Sequence, residues 1–183
     1  MTAEPEAVFT VEAFDPARHD RAAFGSGVAA VDNYLKGTAN KLAKAGNVRL
    51  WVMTDEDQRL AGFYALNAHA VQYTDRPPRY ARTRPGHGSI PAAFIAMMGR
   101  DARFAGQGVG ALLLADALMR IERAASTLGI AVVLLDVLEC GDPIRTQSRR
   151  SFYEGFGFAS LPSRPERMML PVKTISDAIT RSA

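Results

Sequence analysis

The chain has 183 residues and a formal net charge of +3, with 48% hydrophobic and 22% charged residues. This composition is typical of a globular protein and excludes a disordered or fibrous chain. The length predicts one domain over residues 1–183. No apolar run reaches the roughly 18 residues of a membrane helix, and Glu4 and Glu6 occupy the place where a signal peptide carries basic residues. We therefore expect a cytoplasmic protein with no membrane association.

The first half of the chain predicts one helix and three strands. A short strand is expected at 8–14, because Val11 and Ala13 alternate with Glu12. A helix is predicted from Gly27 to about Gly46, with the apolar stripe Val28, Val31, Leu35, Ala39, Leu42 and Ala43 at helical spacing. The runs 48–53 and 60–71 predict an antiparallel hairpin, and the proline-rich stretch from 73 to 89 predicts a long loop.

The second half predicts alternating strands and helices. A strand is expected at 91–98, followed by a helix to about Leu128 with the stripe Val109, Leu113, Ala117, Ile121, Ala124 and Leu128. The run 130–138 is continuously apolar, as in a strand buried on both faces. A polar helix is predicted from Asp142-Pro143 to Gly155 or Gly157, and a last strand at 167–172. The order predicts an α/β layer arrangement around a mixed sheet.

Three glycines stand where a long helix begins, at Gly106, Gly108 and Gly110. Inside a helix each destabilises by about 0.5 to 1 kcal/mol relative to alanine, so the pattern needs another reason. One reason is a tight strand-to-helix connection. The other is an anion site, because the first N–H groups of a helix are unsatisfied donors at its positive end. The P-loop and dinucleotide motifs are both absent.

Two motifs carry a family resemblance. Arg103, Gly106 and Gly108 form Arg-x-x-Gly-x-Gly before a helix, and the segment 152–158 reads Phe-Tyr-Glu-Gly-Phe-Gly-Phe. With the order of elements, the chain resembles the GNAT family of N-acetyltransferases. The resemblance implies a GNAT fold of the α+β type, a mostly antiparallel mixed sheet with splayed central strands flanked by helices. It also implies acetyl-CoA as cofactor, bound by Met98, Arg100, Arg103, Phe104, Ala105, Gly106, Gln107, Gly108, Val109, Gly110 and Ala111.

Acyl transfer needs a proton donor for the departing thiolate, and the resemblance implies that Tyr153 supplies it. A tyrosine hydroxyl, with an ordinary pKa near 10, stays protonated at pH 7. The general base stays open among Glu139, Asp136, His69, His87 and water. Cys140, the single cysteine, has no partner for a disulfide or metal site, so we expect an inert thiol at a strand end and no metal.

The basic residues are concentrated in two segments that contain no acid. One segment, 36–54, holds Lys36, Lys41, Lys44 and Arg49, and the other, 76–100, holds Arg76, Arg79, Arg82, Arg84 and Arg100. Charge alone leaves two interpretations open. These residues are either a solvated surface or a surface that attracts a polyanion such as RNA.

A narrower resemblance favours RNA. Phe24-x-Ser26-Gly27, the segments 31–35 and 62–66, the arginine-rich loop and Ile90-Pro91 are similar to the GNAT toxins of bacterial toxin/antitoxin pairs. Those toxins acetylate the amino group of aminoacyl-tRNA. The resemblance implies that Lys36, Lys41, Lys44, Arg49, Arg76, Arg79, Arg82 and Arg84 hold the tRNA. It also implies a ribbon-helix-helix antitoxin as partner, and a homodimer.

Three functions stay open at this point. The first is a toxin that acetylates aminoacyl-tRNA. The second is an acetyltransferase for a small-molecule amine or a protein amino group, which needs no basic groove. The third is a non-catalytic acyl-CoA sensor or RNA-binding module, whose function would not depend on the Tyr153 hydroxyl.

Overall fold

The computed structural model describes residues 8–72 and 88–182, with side chains described as far as Ile179. The long loop predicted from 73 to 89 therefore lies outside the described residues, apart from Gly88 and Ser89. Within the described ranges, no helix combines the length and the apolar character needed to cross a bilayer.

The described elements are seven strands and five α-helices, in the order that the sequence predicts with two additions at the C-terminal end. The strands are β1 Thr10–Ala13, β2 Arg49–Thr54, β3 Leu60–Gln72, β4 Ser89–Arg100, β5 Val132–Asp136, β6 Ala159–Ser160 and β7 Arg167–Pro171. The helices are α1 Ala29–Asn33, α2 Ala39–Lys44, α3 Val109–Ala125, α4 Pro143–Gly155 and α5 Val172–Ser182. A π-helical turn, Tyr34–Thr38, joins α1 to α2, and a 3₁₀ turn, Ala102–Phe104, precedes α3.

The strands form one mixed sheet in the order β1-β2-β3-β4-β5-β7-β6. The pairs β1–β2, β5–β7 and β6–β7 are antiparallel, and β4–β5 is parallel. The predicted fold class, a mixed and mostly antiparallel sheet with helices, is therefore confirmed.

By its contacts the chain divides into two compact units, each described by itself. The first unit consists of Met1–Ala65 and Met97–Asp116, and the second of Leu66–Ala96 and Ala117–Ala183. The prediction of one domain over residues 1–183 stays a prediction.

In the first unit, the helix predicted from Gly27 to Gly46 is present but contains a π turn. Val31, Leu35 and Ala39 are at most 5% exposed and follow one another at a spacing of four residues, whereas Val28, Leu42 and Ala43 of the predicted stripe are half-buried. Gly37, a weak helix former, lies inside the π turn. Such turns are inserted in α-helices and often mark functional regions.

Helix α3 begins at Val109 as the glycine segment ends. Val109, Leu113 and Ala117 are fully buried, as predicted. The prediction for its end is wrong: α3 stops at Ala125, Leu128 is 64% exposed, and Ala124 is also exposed. The Ser126 and Thr127 hydroxyls donate to the carbonyls of Arg123 and Ala124 at 2.7 and 3.1 Å, which are hydrogen bonds that compete with the helical pattern.

In the second unit, β4 and β5 pair in parallel from Ala92↔Val132 to Ile95↔Leu135, while β4 itself continues to Arg100. Strand β5 is shorter than the predicted 130–138. Beyond its ends the backbone leaves the regular ladder, because Ala131 donates to Pro91 O and Val137 donates to Glu166 O. Val132 and Leu134 lie in an apolar core with Val71, Ile90 and Met169.

Two elements at the C-terminal end are missing from the sequence prediction. Strand β6 has two residues and pairs with β7, and helix α5 follows β7 directly after Pro171. Val172 and Ile175 are the buried residues of α5, three positions apart.

Gly62 allows close packing in the first unit. A Cβ atom there would lie 2.5 Å from Leu113 Cδ1 and 2.9 Å from Gly99 O. We predict that Gly62→Ala lowers the free energy of unfolding by about 1–3 kcal/mol through overpacking. Gly37→Ala is the control, because a Cβ at Gly37 meets nothing within 4 Å, so this change should stabilise by about 0.4–1 kcal/mol. Urea unfolding of both variants measures this, and an equal effect of the two would contradict it.

Candidate active site

The glycine segment forms an exposed loop in front of α3. Gly106 and Gly108 have φ of +78° and +72°, a conformation that L-residues rarely adopt. A Cβ on either would meet nothing within 4 Å. These two glycines are therefore explained by backbone conformation and not by packing. Gly110 differs, because it lies inside α3 and has no positive φ.

The N–H groups of this loop are the site's main donors. Leu112 is the first residue of α3 that donates back along the helix, to Gly108 O at 3.1 Å. Among the described residues, none accepts from the N–H groups of Gly106, Gly108, Val109, Gly110 and Ala111. Free N–H groups at the positive end of a 17-residue helix suit a phosphate or pyrophosphate.

Asp101 and Arg103 form an ion pair immediately before the loop. The Asp101 carboxylate is 1% exposed, whereas the Arg103 side chain is 50% exposed. Burial raises the pKa of the Asp101 carboxyl, but the hydrogen bonds from Arg103 and from the Gly25 N–H outweigh it, so the pKa lies below its ordinary value. Arg103 is among the residues predicted to bind coenzyme A, whereas Asp101 is not.

The remaining residues predicted to bind coenzyme A divide by exposure. Ala105, Gln107 and Ala111 are exposed on the loop and the start of α3. Phe104 and Val109 are buried, with their rings and methyls inside the first unit. Met98 and Arg100, on the last part of β4, are half-buried, and Arg100 donates to Asp101 O at 3.3 Å.

Tyr153 lies on α4, in the second unit. Asp142 caps α4, accepting from the N–H groups of Ile144 and Arg145 at 3.0 and 3.1 Å, and Pro143 fills the first helical position. The Tyr153 ring packs edge-on against Phe152 and Phe158. Burial raises the pKa of its hydroxyl to about 12, partly opposed by the Arg149 guanidinium. The hydroxyl is therefore protonated at neutral pH.

Two of the candidate bases are already engaged. Arg167 holds Asp136 through two bonds of 2.7 and 2.8 Å, and its Nη1 lies 3.2 Å from His69 Nε2. Since a guanidinium only donates, His69 Nε2 must accept, and its proton is on Nδ1. Burial and Arg167 lower the pKa of His69. Glu139 is exposed, and His87 lies outside the described residues.

Cys140 lies in the loop between β5 and α4, and not at a strand end as predicted. Arg149 donates to its Sγ at 3.0 Å and to Leu138 O at 3.2 Å. The hydrogen bond from Arg149 lowers the pKa of the thiol. The expectation of an inert thiol is untested, but its surroundings favour the thiolate.

The basic residues of the first predicted segment form an exposed set. Lys36, Lys41, Lys44 and Arg49 are all exposed, and none is in an ion pair with another described residue. They lie on the π turn, on α2 and at the start of β2. Arg76, Arg79, Arg82 and Arg84 lie outside the described residues.

The sequence of this chain is similar to those of known toxins, although it matches no protein-family model. It is 57% identical to the probable toxin TacT of Sinorhizobium fredii over 166 residues, which cover 90% of this chain and 92% of the relative. It is 32% identical to a tRNA-acetylating toxin of Mycobacterium tuberculosis over 154 residues, covering 84% and 87%.

Solved structures share the fold. A tyrosine-to-phenylalanine mutant of KacT gives a TM-score of 0.82 at 21% identity and covers 93% of this chain and 98% of its own. AtaT complexed with acetyl-methionyl-tRNAfMet gives 0.82 at 20% identity and covers 94% and 99%. The solved structures share the fold of this chain, and the two sequence relatives show its family. The chain belongs to the family of GNAT toxins that includes TacT.

Proposed function

We propose that this protein transfers the acetyl group of acetyl-CoA to the amino group of an aminoacyl-tRNA and so blocks translation as the toxin of a toxin/antitoxin pair. The observation that carries the proposal is the loop of free N–H groups before α3, in a chain 32% identical to a toxin named for tRNA acetylation. AtaT, which shares the fold, has been solved with an acetylated methionyl-tRNA.

The residues present fit coenzyme A. Its pyrophosphate needs several donors on a small surface, and Gly106, Gly108, Gly110 and Ala111, none of them buried, offer four N–H groups without an acceptor among the described residues. The absence of side chains at Gly106 and Gly108 leaves the approach open. Another protein of this fold, AtaTR, has been solved with acetyl-CoA bound. Met98 and Arg100 would hold the pantetheine arm through backbone groups.

Acetyl-CoA supplies the acyl carbon and the leaving sulfur. The amine nitrogen forms a bond to that carbon as the carbon–sulfur bond breaks, so the sulfur must gain a proton and the nitrogen must lose one. Tyr153 would hold the first proton at Oη, and its raised pKa keeps that proton in place at neutral pH.

The second proton goes to water in this proposal. Arg167 holds Asp136 through two hydrogen bonds and His69 Nε2 through one, so we assign neither residue as the base. An amine that is neutral when it binds needs only a weak acceptor once it has attacked.

The aminoacyl-tRNA would be bound by electrostatic attraction between its phosphates and exposed basic side chains. Lys36, Lys41, Lys44 and Arg49 are exposed cations without an ion-pair partner in the described ranges, as expected of groups that contact phosphates. We assign the arginines of 76–84 to the same role. We also propose a cognate antitoxin, because AtaT has been solved with the C-terminus of the antitoxin AtaR. A ribbon-helix-helix antitoxin and a homodimer stay predictions.

The direct test supplies purified protein with radiolabelled acetyl-CoA and a pool of charged tRNAs. We predict label on the amino acid of the tRNA, and a loss of about 100-fold or more in kcat for Tyr153→Phe, because the thiolate then leaves without a proton donor. Binding of coenzyme A should not change. Label on small amines or on proteins instead of tRNA would reject tRNA as the acceptor, and full activity of Tyr153→Phe would reject its role as acid.

Titration of Tyr153 gives a second prediction. Its folded pKa of about 12 lies above the unfolded value near 10, so the fold stabilises the neutral form. This stabilisation is present below pH 10 and is lost as the pH rises through about 12. The tyrosinate absorbance of the folded protein minus that of Tyr153→Phe should therefore show a transition near pH 12. A transition near pH 10, the ordinary tyrosine value, would contradict the burial of the hydroxyl.

The basic set predicts a change in salt dependence. Replacing Lys36, Lys41 and Lys44 by Gln should raise KM for tRNA and lower the slope of log K against log salt by about 1 for each phosphate that is no longer neutralised. KM for acetyl-CoA should stay the same. Lys173→Gln is the control, since Lys173 is an exposed lysine already paired with Asp177. Equal effects of the triple and control variants on tRNA would remove this surface from the proposal.

A further inference from the structure

The glycine loop has little to hold its shape from within. Residues 105–108 are exposed, and a side chain on Gly106 or Gly108 would contact nothing within 4 Å. Glycine also loses more conformational freedom on ordering than any other residue. The position of the N–H groups must therefore be set from the two ends of the loop.

The C-terminal end is fixed by packing. Val109 and Leu113 are fully buried, so the first turn of α3 is anchored in the first unit. The N-terminal end lacks comparable apolar anchoring apart from Phe104, which is 7% exposed. What holds the chain there is a set of hydrogen bonds around Asp101.

The Asp101 carboxylate accepts four hydrogen bonds. Oδ1 accepts from the Arg103 N–H and Nε, both at 2.9 Å, and Oδ2 accepts from Arg103 Nη2 at 2.9 Å and from the Gly25 N–H at 3.0 Å. The backbone adds Ala102 N–H to Gly25 O at 2.8 Å and Asp101 N–H to Ala61 O at 2.9 Å. One buried carboxylate thus joins the 3₁₀ turn, the Gly25 turn and the Arg103 side chain.

The same contacts fix the orientation of Arg103. Two of its guanidinium nitrogens are held by Asp101, and its Cζ lies 5.9 Å from the Phe104 ring centre. Nη1 is left without an acceptor among the described residues, on a side chain that is half exposed. The pair therefore orients a guanidinium with one free donor group, three residues before Gly106 in the chain.

We infer that Asp101 is a positioning residue for the coenzyme A site: it fixes the N-terminal end of the glycine loop and the Arg103 guanidinium, so that donors are in place before a pyrophosphate binds. This inference rests on the proposed function of the loop. Ordering the loop in advance lowers the entropy lost on binding, so Asp101 should affect affinity and not the chemical step.

Asp101→Asn tests the inference. The asparagine amide keeps one acceptor oxygen, but its N–H₂ group faces donors of Arg103 or Gly25 that the second carboxylate oxygen had accepted from. We predict that the Kd of coenzyme A, measured by calorimetry, rises on the order of 10-fold. KM for acetyl-CoA should rise with it, while kcat at saturating acetyl-CoA stays within about twofold.

Asp55→Asn is the matched control. Asp55 is also nearly buried, and it accepts from the Asp57 and Arg59 N–H groups at 3.1 and 2.9 Å and from Arg59 Nε at 2.7 Å. This variant should lower the melting temperature as Asp101→Asn does, without the change in Kd. Equal Kd values for the two variants, or a fall in kcat with unchanged KM, would overturn the inference.

A second variant covers the case in which Asp101→Asn does not fold. Arg103→Gln removes both the pairing with Asp101 and the cationic donor that Asp101 orients, and should raise the Kd of coenzyme A by at least as much as Asp101→Asn, on the order of 10-fold. An unchanged Kd would overturn the inference. If the unmodified protein itself failed to bind coenzyme A, the proposed function would fall instead, so the two failures are distinguishable.

Discussion

The N–H groups at the start of α3 that lack an acceptor are the constraint on which the rest of the structure depends. A helix cannot satisfy its own first donors, and here no side chain among the described residues caps them. Gly106 and Gly108 have positive φ and are exposed, the buried Val109 anchors the helix behind them, and Asp101 holds the chain in front of them. Such an arrangement has unused capacity for an anion, which is what a coenzyme A site requires.

The proposed reaction uses some residues that are close together in the sequence and others that are far apart in it. The proposed coenzyme A site consists of residues within one short segment, 98–111, which explains why a sequence motif can indicate it. The acid, Tyr153, comes from α4, where burial keeps its pKa high and its proton in place. The acceptor depends on exposed cations at separate positions, Lys36 to Arg49, whose role comes from their combined charge and not from any one geometry. Family membership adds most at this last step, because charge does not specify an RNA.

Residue patterns predicted most of the fold, and they indicated the glycine segment that we propose as the coenzyme A site. Periodicity located α3, and the Asp142-Pro143 start signal located α4. The apolar pattern of α3 ran past Ala125, since the competing hydroxyls of Ser126 and Thr127 leave that pattern unchanged. Helix α5 was missed because, up to Ile179, only Val172 and Ile175 are buried in it. Asp101 was missed for a related reason: next to two arginines, a lone aspartate resembles a solvated ion pair, and its burial depends on the distant Gly25 turn. The engagement of His69 and Asp136 by Arg167 joins residues far apart in sequence, so no local pattern indicates it.

The most direct measurement of the central claim is the backbone amide spectrum of the ¹⁵N-labelled protein during titration with coenzyme A. We predict that the amide resonances of Gly106, Gly108 and Gly110 move downfield together and saturate, as their N–H groups gain a charged acceptor. Gly46 is the internal reference, because it also has a positive φ and open surroundings but lies at the end of α2. Its resonance should not move. Saturable binding of coenzyme A that leaves the resonances of these three glycines unshifted would show that their N–H groups do not bind the pyrophosphate.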